Sequence, residues 1–301
     1  VPPHRRPTRL VAAACLLAHA GFAGAAAPGI EDPAARTRET RLENGLVVLT
    51  LEDHATPVVS FQMWVLVGSR DESRYTGLAH LFEHMMFKGS KHIAPERHAQ
   101  LVQARGGQIN AYTSRDYTVY HTDVSRESLP LVIELEAERV ANLAITQATL
   151  DSERQVVLEE RRLRVDDQPD GRGIESLLAL SFVAHPYRWP VIGWQSDVEQ
   201  ATLEACQVFF AHYYVPNNIV LVIAGDFDTE EALAVVRRTF GPLEPEAEIP
   251  RNPTREPDQR GERRATVEFD LRSPVLAAAW HAPASGHPDA EPLDVLSQIL
   301  S

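Results

Sequence analysis

Within "GLAHLFEHMMFKG", residues 77–89, two histidines and a glutamate occupy the five positions His80-Leu81-Phe82-Glu83-His84. Positions four apart on a helix lie on one face, so His80 and His84 can aim imidazole nitrogens at one metal ion. Glu83 lies beside them and can reach a water molecule held by that ion. Zinc lowers the pKa of its water to about 7, and a neighbouring carboxylate can then take the proton. The competing reading is a helix that carries solvated polar residues. Leu78, Leu81, Phe82 and Met85 weigh against it, because they make the other positions apolar and draw the three polar side chains toward the core. Polar groups buried there need partners, and a metal is one.

The order His-x-x-Glu-His inverts the common zincin motif and is the inverzincin signature. A catalytic zinc site also needs a third protein ligand and an open position. The five residues do not supply that ligand.

The elements that would position the motif can be read from pattern. "TRLENGLVVLTLED" is a hairpin with Asn44-Gly45 at the turn. "PVVSFQMWVLVGS" is a buried strand, and residues 77–88 and "PERHAQLVQARGG" are helices. "QINAYTSRDYTVYHTDVS" alternates like two strands joined at Ser114–Asp116. Helices are predicted over 129–142, 150–165, "GRGIESLLALSF" and "LEACQVFFAHYYVPNN". "IVLVIAGDF" is a strand, and "DTEEALAVVRRTFG" a helix between an Asp228 cap and a Gly241 stop. "RATVEFDL" and "PVLAAAWHAP" are expected to be two more strands, followed by a helix in "DAEPLDVLSQILS". Strands and helices mix without a regular βαβ rhythm. The expected fold is therefore α+β, a two-layer sandwich of a mixed, largely antiparallel sheet with helices packed on it.

The N-terminus reads as a secretory signal over 1–27. It has a basic "HRRPTR", an apolar "LVAAACLLAHAGFAG" and small residues for cleavage near Ala25–Ala27. Its removal leaves Cys206 as the one cysteine, so no internal disulfide is expected in the mature chain. The formal charge of −13 becomes more negative without Arg5, Arg6 and Arg9, which excludes binding nucleic acid through net charge. No run after residue 30 is long enough to span a bilayer, so no stable membrane anchor is expected after cleavage. The expected location is the periplasm or another exported compartment. Residues 28–38 form a leader and the Pro-rich, aperiodic stretch 242–262 a linker. The final helix ends uncapped at Ser301, so the sequence reads as part of a longer one.

"ENGLVVLTLEDHATPVVSFQMWVLVGSRDES", "GLAHLFEHMMFKG", "GGQINAYTSRDYTVYH" and "SERQVVLEERR" together resemble the pitrilysin family. That family includes insulysin and the mitochondrial processing peptidase. The resemblance runs from about residue 39 to the end of the chain. It implies a zinc-binding peptidase domain over 39–241 and the truncated start of a second homologous domain over 263–301. It also implies one Zn2+ per catalytic domain, with Glu160 as third ligand and Glu153 as a supporting carboxylate in the catalytic set. Glu159 is the near competitor of Glu160, turned about 100° from the face of Glu153. Glu159, Arg161 and Arg162 otherwise read as a solvated helix face.

The resemblance further places Asn110 and Ala111 on an edge strand that pairs with the substrate backbone. A second homologous half, in the same chain or in a partner subunit, would close over the peptide. His54, His92, His98, His185, His212, His281 and His287 lack ligand spacing and read as surface or loop residues, while His121 could be either. The expected function is an exported zinc endopeptidase acting on peptides or unfolded segments, with Glu83 as general base. A catalytically silent scaffold or partner subunit of the same fold is the alternative. A metal-dependent oxidoreductase remains compatible with the ligand types.

Overall fold

The structure is a computed structural model that describes residues 32–300. The expected signal sequence, 1–27, lies outside the described residues, as does the first part of the leader. Among the described residues, six strands form one sheet: β1 (Arg38–Arg41), β2 (Val47–Glu52), β3 (Val59–Val65), β4 (Gln108–Thr113), β5 (Thr118–Val124) and β6 (Ile219–Gly225). Their order is β1-β2-β6-β3-β5-β4. Only β2 and β6 run parallel, in register from Val47 opposite Val220 to Glu52 opposite Gly225. The remaining pairs are antiparallel. The predicted mixed sheet is therefore present.

Strand periodicity explains which face is covered. On β3 the alternate residues Val59, Phe61, Met63 and Val65 are fully buried, whereas Ser60, Gln62 and Trp64 are partly open. Ile219, Leu221 and Ile223 of β6 continue the buried face. Each such side chain contributes about 1.5–3 kcal/mol when fully buried.

Helix α1 (Leu78–Met85) packs on this core through Leu78, Ala79, Leu81, Phe82 and Met85. It begins at Gly77, whose φ of +90° is left-handed backbone that glycine tolerates best. The buried Glu72 carboxylate accepts the N–H groups of Gly77 and Ala79, each at 2.8 Å, and so satisfies the start of the helix. Helix α2 (Arg97–Gln103) and α3 (Leu129–Asn142) follow. Helix α4 (Gln147–Arg161) starts before the predicted Leu150 because Thr146 caps it, accepting Thr149 N–H at 3.2 Å. Its α-helical part ends at Arg161, and the chain continues as a wider π turn over Arg162–Asp166.

Helix α5 spans Pro169–Ser181, α6 Gln195–Gln200 and α7 Leu203–Tyr213. Phe82 of α1 stacks on Phe209 and Phe210 of α7, with ring centroids 5.4 and 5.7 Å away. Helix α8 (Thr229–Thr239) has the expected Asp228 cap, which accepts Glu231 N–H at 2.9 Å. Helix α9 (Ala290–Leu300) is also present.

Two expectations fail. The strands predicted in "RATVEFDL" and "PVLAAAWHAP" do not form, and residues 264–284 are exposed without helix or strand. A strand needs a neighbour to take up its N–H and C=O groups, and the described sheet ends elsewhere, at β1 and β4. Helix α6 was not predicted, because "QSDVEQ" is too short to show an apolar period.

Residues 242–262 carry no helix or strand but are fastened to the sheet-bearing unit. Arg251 reaches Leu66 O and Asn218 Oδ1. Glu256 accepts the N–H groups of Val183, Ala184 and His185 at 2.8–2.9 Å.

Candidate metal centre

His80 and His84 lie one turn apart on α1, with ring centroids separated by 4.9 Å. The last turn of α4 brings Glu160 to them. Glu160 Oε2 is 3.2 Å from His84 Nε2 and 3.7 Å from His80 Nε2. Ligand atoms of the three residues all lie within 4.8 Å of one another. The second carboxylate oxygen, Oε1, is held by Arg164 at 2.7 Å.

The donor chemistry fits a divalent ion such as zinc. Ligation needs neutral imidazole and ionised carboxylate. Burial, reinforced by the neighbouring His84, pulls the His80 imidazole down to about 4, so it is neutral at pH 7. Glu160 sits below the usual carboxylate range, chiefly through its hydrogen bond with His84 and against the effect of burial. Two imidazoles and one carboxylate leave room for a further ligand in a four-coordinate site.

Glu83 projects from the same helix, and its carboxylate Oε2 accepts the Thr113 hydroxyl at 2.6 Å. Burial pushes this carboxyl above its ordinary value, while the Thr113 hydrogen bond and His84 oppose the shift. Thr113 closes strand β4, so the end of the edge strand and the motif helix meet at Glu83. The sequence reading missed Thr113. The available signal was alternation on β4, where Ile109, Ala111 and Thr113 share the less exposed face.

Glu153 is buried on α4, behind His84. Its Oε2 is 4.0 Å from His84 Nδ1, and its Oε1 is 3.4 Å from Lys88 Nζ and accepts Ser152 Oγ at 3.0 Å. The His84 ring thus faces Glu160 with one nitrogen and Glu153 with the other. Asn110 and Ala111 lie on β4, at the sheet edge. Ala111 N–H is taken by the Asn110 side-chain oxygen at 2.9 Å.

Two residues read as solvated are buried instead. Glu159 and Arg162 are exposed and paired at 2.6 Å, but the Arg161 side chain between them is only 4% exposed. His98 is also buried, with Nε2 3.5 Å from Glu136, which itself takes a bidentate ion pair from Arg139. Burial, with the Arg139 charge, brings the His98 imidazole down to about 2. The reason is geometric in both cases. Leu150, Glu153, Val157 and Arg161 recur at helical spacing on the buried face of α4, as do His98 and Val102 on α2.

An α+β unit with a mixed six-stranded sheet, carrying an inverted His-x-x-Glu-His helix opposite a glutamate-bearing helix, defines the class of architecture. The chain belongs to the peptidase M16, or insulinase, family. The family description "Insulinase (Peptidase family M16)" matches residues 47–193, and "Peptidase M16 inactive domain" matches residues 200–301. The second match begins before β6, a strand inside the first sheet, and it extends into the start of a second domain.

Among curated relatives, the zinc protease PqqE of Helicobacter pylori is 34% identical over 264 residues, covering 86% of this chain and 60% of its own. A crystal structure of a protease from Helicobacter pylori superposes with a TM-score of 0.73 at 33% identity, covering 75% of this chain and 55% of that one. The periplasmic protease PqqL from Escherichia coli gives a TM-score of 0.65 at 25% identity, over 72% of this chain and 25% of that one. The chain spans about half to 60% of the length of the first curated relatives it matches.

Proposed function

We propose that the chain is the motif-bearing half of an exported zinc-dependent endopeptidase. The observation that carries this reading is the meeting of His80, His84 and Glu160 within 4.8 Å, with Glu83 on the same helix as the histidines. Relatives named zinc proteases support the metal and the reaction class. The basic, apolar and small-residue N-terminus supports export, as does similarity to a periplasmic protease. Among the described residues, no helix is long and apolar enough to cross a membrane.

His80, His84 and Glu160 would hold the ion, and Glu153 would orient His84 from behind. When bound, zinc supplies Lewis-acid polarisation of the scissile carbonyl and acidifies its water. Glu83 takes the proton from the attacking water and returns it to the departing amine nitrogen as the C–N bond breaks. A carboxyl raised by burial suits both steps, because its proton affinity lies closer to the working pH. The free edge of β4 at Asn110 and Ala111 would receive an extended peptide as an added strand. Backbone pairing reads few side chains, so sequence preference is loose. A second homologous half, in cis or as a partner subunit, would close over the substrate.

The test is Glu83→Gln in the full-length protein, with peptide hydrolysis and bound zinc measured together. Hydrolysis should fall by about 10²–10⁴ or more, with zinc content unchanged and a chelator abolishing the wild-type rate. Near-normal turnover in the variant would remove Glu83 from the mechanism.

A further inference from the structure

We infer that Arg161 is a positioning residue that sets Glu160 against the two histidines, acting through the turn at Gly193. The inference rests on the metal reading above. Arg161 follows Glu160 directly, at the point where α4 gives way to the wider π turn. The α-helix thus ends one residue past the ligand and widens into the π turn, where side-chain contacts add to the backbone bonds that hold this end of α4.

The buried guanidinium makes four contacts from one planar fork. Nη1 donates to Glu175 Oε2 of α5 at 2.7 Å and to Gly193 O at 2.8 Å. Nη2 donates to Glu175 Oε1 at 3.1 Å and to Asp166 Oδ1 of the π turn at 3.3 Å. A lysine, with a point charge, cannot reproduce this bidentate geometry.

Gly193 carries the connection to the other helix. Its φ is +84°, and a Cβ there would meet Thr76 O at 2.5 Å and Gly77 Cα at 2.6 Å. Next to it, Trp194 N–H donates to Thr76 Oγ1 at 2.8 Å, and Thr76 Oγ1 donates to Asp197 Oδ2 at 2.8 Å. Thr76 and Gly77 lead directly into α1, which bears His80 and His84. A continuous path of short contacts thus runs from the residue beside Glu160 to the start of the histidine helix. Packing of α1 on α4 brings the two helices together, and the Arg161–Gly193 bridge sets their register.

A buried arginine is an expensive way to stabilise a corner alone, since two charges must be desolvated and apolar packing often serves as well. The competing account is that Arg161 only holds α4 to α5. The two accounts separate on metal binding.

In the full-length protein, the double substitution Arg161→Met with Glu175→Gln removes both buried charges, so no unpaired carboxylate burdens the fold. Gly193→Ala perturbs the same path, including the carbonyl that accepts from Arg161, without substituting Arg161 or a ligand, and Arg161→Lys keeps the cation but not the fork. Zinc affinity by chelator competition and the visible absorption spectrum of the Co2+-substituted protein are the readouts, with folding followed by circular dichroism. Folded variants should lose about 10- to 100-fold in zinc affinity, as partners behind metal ligands do, and the Co2+ bands should shift. Arg161→Lys should fall in between and decides the matter if the double variant unfolds. Folded variants with wild-type affinity and an unchanged Co2+ spectrum would overturn the positioning role. A wild-type protein that binds no zinc would overturn the metal reading, and this inference with it.

Discussion

Thr113 Oγ1 donates to Glu83 Oε2 at 2.6 Å, which ties the last residue of the edge strand to the carboxylate on the motif helix. The strand proposed to receive a substrate and the carboxylate proposed to move the proton are thus joined by one hydrogen bond. Thr113→Val keeps the shape and removes the donor. Turnover should fall by about tenfold or more, in line with the loss of a hydrogen bond to a charged group, while zinc content stays at the wild-type level. A drop in zinc content instead would show that Thr113 supports the ligands and not Glu83.

Glu159 and Glu160 are adjacent but differ in surroundings. Glu160 faces both histidines, whereas Glu159 pairs with Arg162 in solvent. Glu160→Gln should strip the zinc and the activity together, and Glu159→Gln should change neither. Glu153→Gln should lower zinc affinity by about 10- to 100-fold without abolishing binding, because it touches His84 from the far side. Direct metal analysis of the three purified variants checks the order.

Ala111 N–H meets the Asn110 side chain, so it points to the open edge and not into the ladder with β5. Ala111→Pro removes this donor from the edge. The sheet should survive, since proline is tolerated on edge strands. If a peptide adds to β4, KM should rise severalfold with zinc content unchanged. An unaltered KM would place substrate binding elsewhere.

The segment after α8 is held to the sheet-bearing unit by a pH-sensitive contact. Burial raises the Glu256 carboxyl, but the N–H groups of His185, Val183 and Ala184 and the Arg263 charge outweigh it and bring it to about 2 from an ordinary 4.5. A carboxylate depressed in the folded state stabilises it fully above the unfolded value, and the effect is lost as pH falls through the folded one. Docking should therefore be complete above about pH 4.5 and be released toward about pH 2. Amide exchange protection at Val183, Ala184 and His185 measures it, and Glu256→Gln should flatten the pH dependence across that window.

The sheet and the motif helix were legible because their physics is local. Alternation marks β3 and β6, and the apolar spacing of Leu78, Leu81, Phe82 and Met85 marks α1. Asp228 announces its helix by capping chemistry. Glu160 could be named only through family resemblance, since its approach to His84 depends on how α4 lies across α1. Thr113 was invisible for the same reason, as its partner is thirty residues away in sequence. Arg161 and His98 depart from the expected solvated face because a charged or polar side chain is buried when it falls on a helix's inner stripe and finds partners there. The anchoring residues Leu150 and Val157 already placed Arg161 on the inner face. The strands expected in 264–283 fail for the opposite reason, since β-rich composition does not suffice without a neighbouring strand.

Strand β6 lies between β2 and β3, which do not hydrogen-bond to each other. During synthesis the ribosome releases β1 and β2, and then β3, β4 and β5, long before residue 219 emerges. Until then the strand that joins β1-β2 to β3-β5-β4 is missing, although every residue of the candidate metal centre precedes it in the chain. Pairing of β2 with β6, from Val47 opposite Val220 to Glu52 opposite Gly225, makes a slow, non-local closing step. Nascent chains stalled ahead of β6 would present β2 and β3 as open edges to each other and to neighbouring chains, which makes aggregation on the ribosome the hazard of this topology.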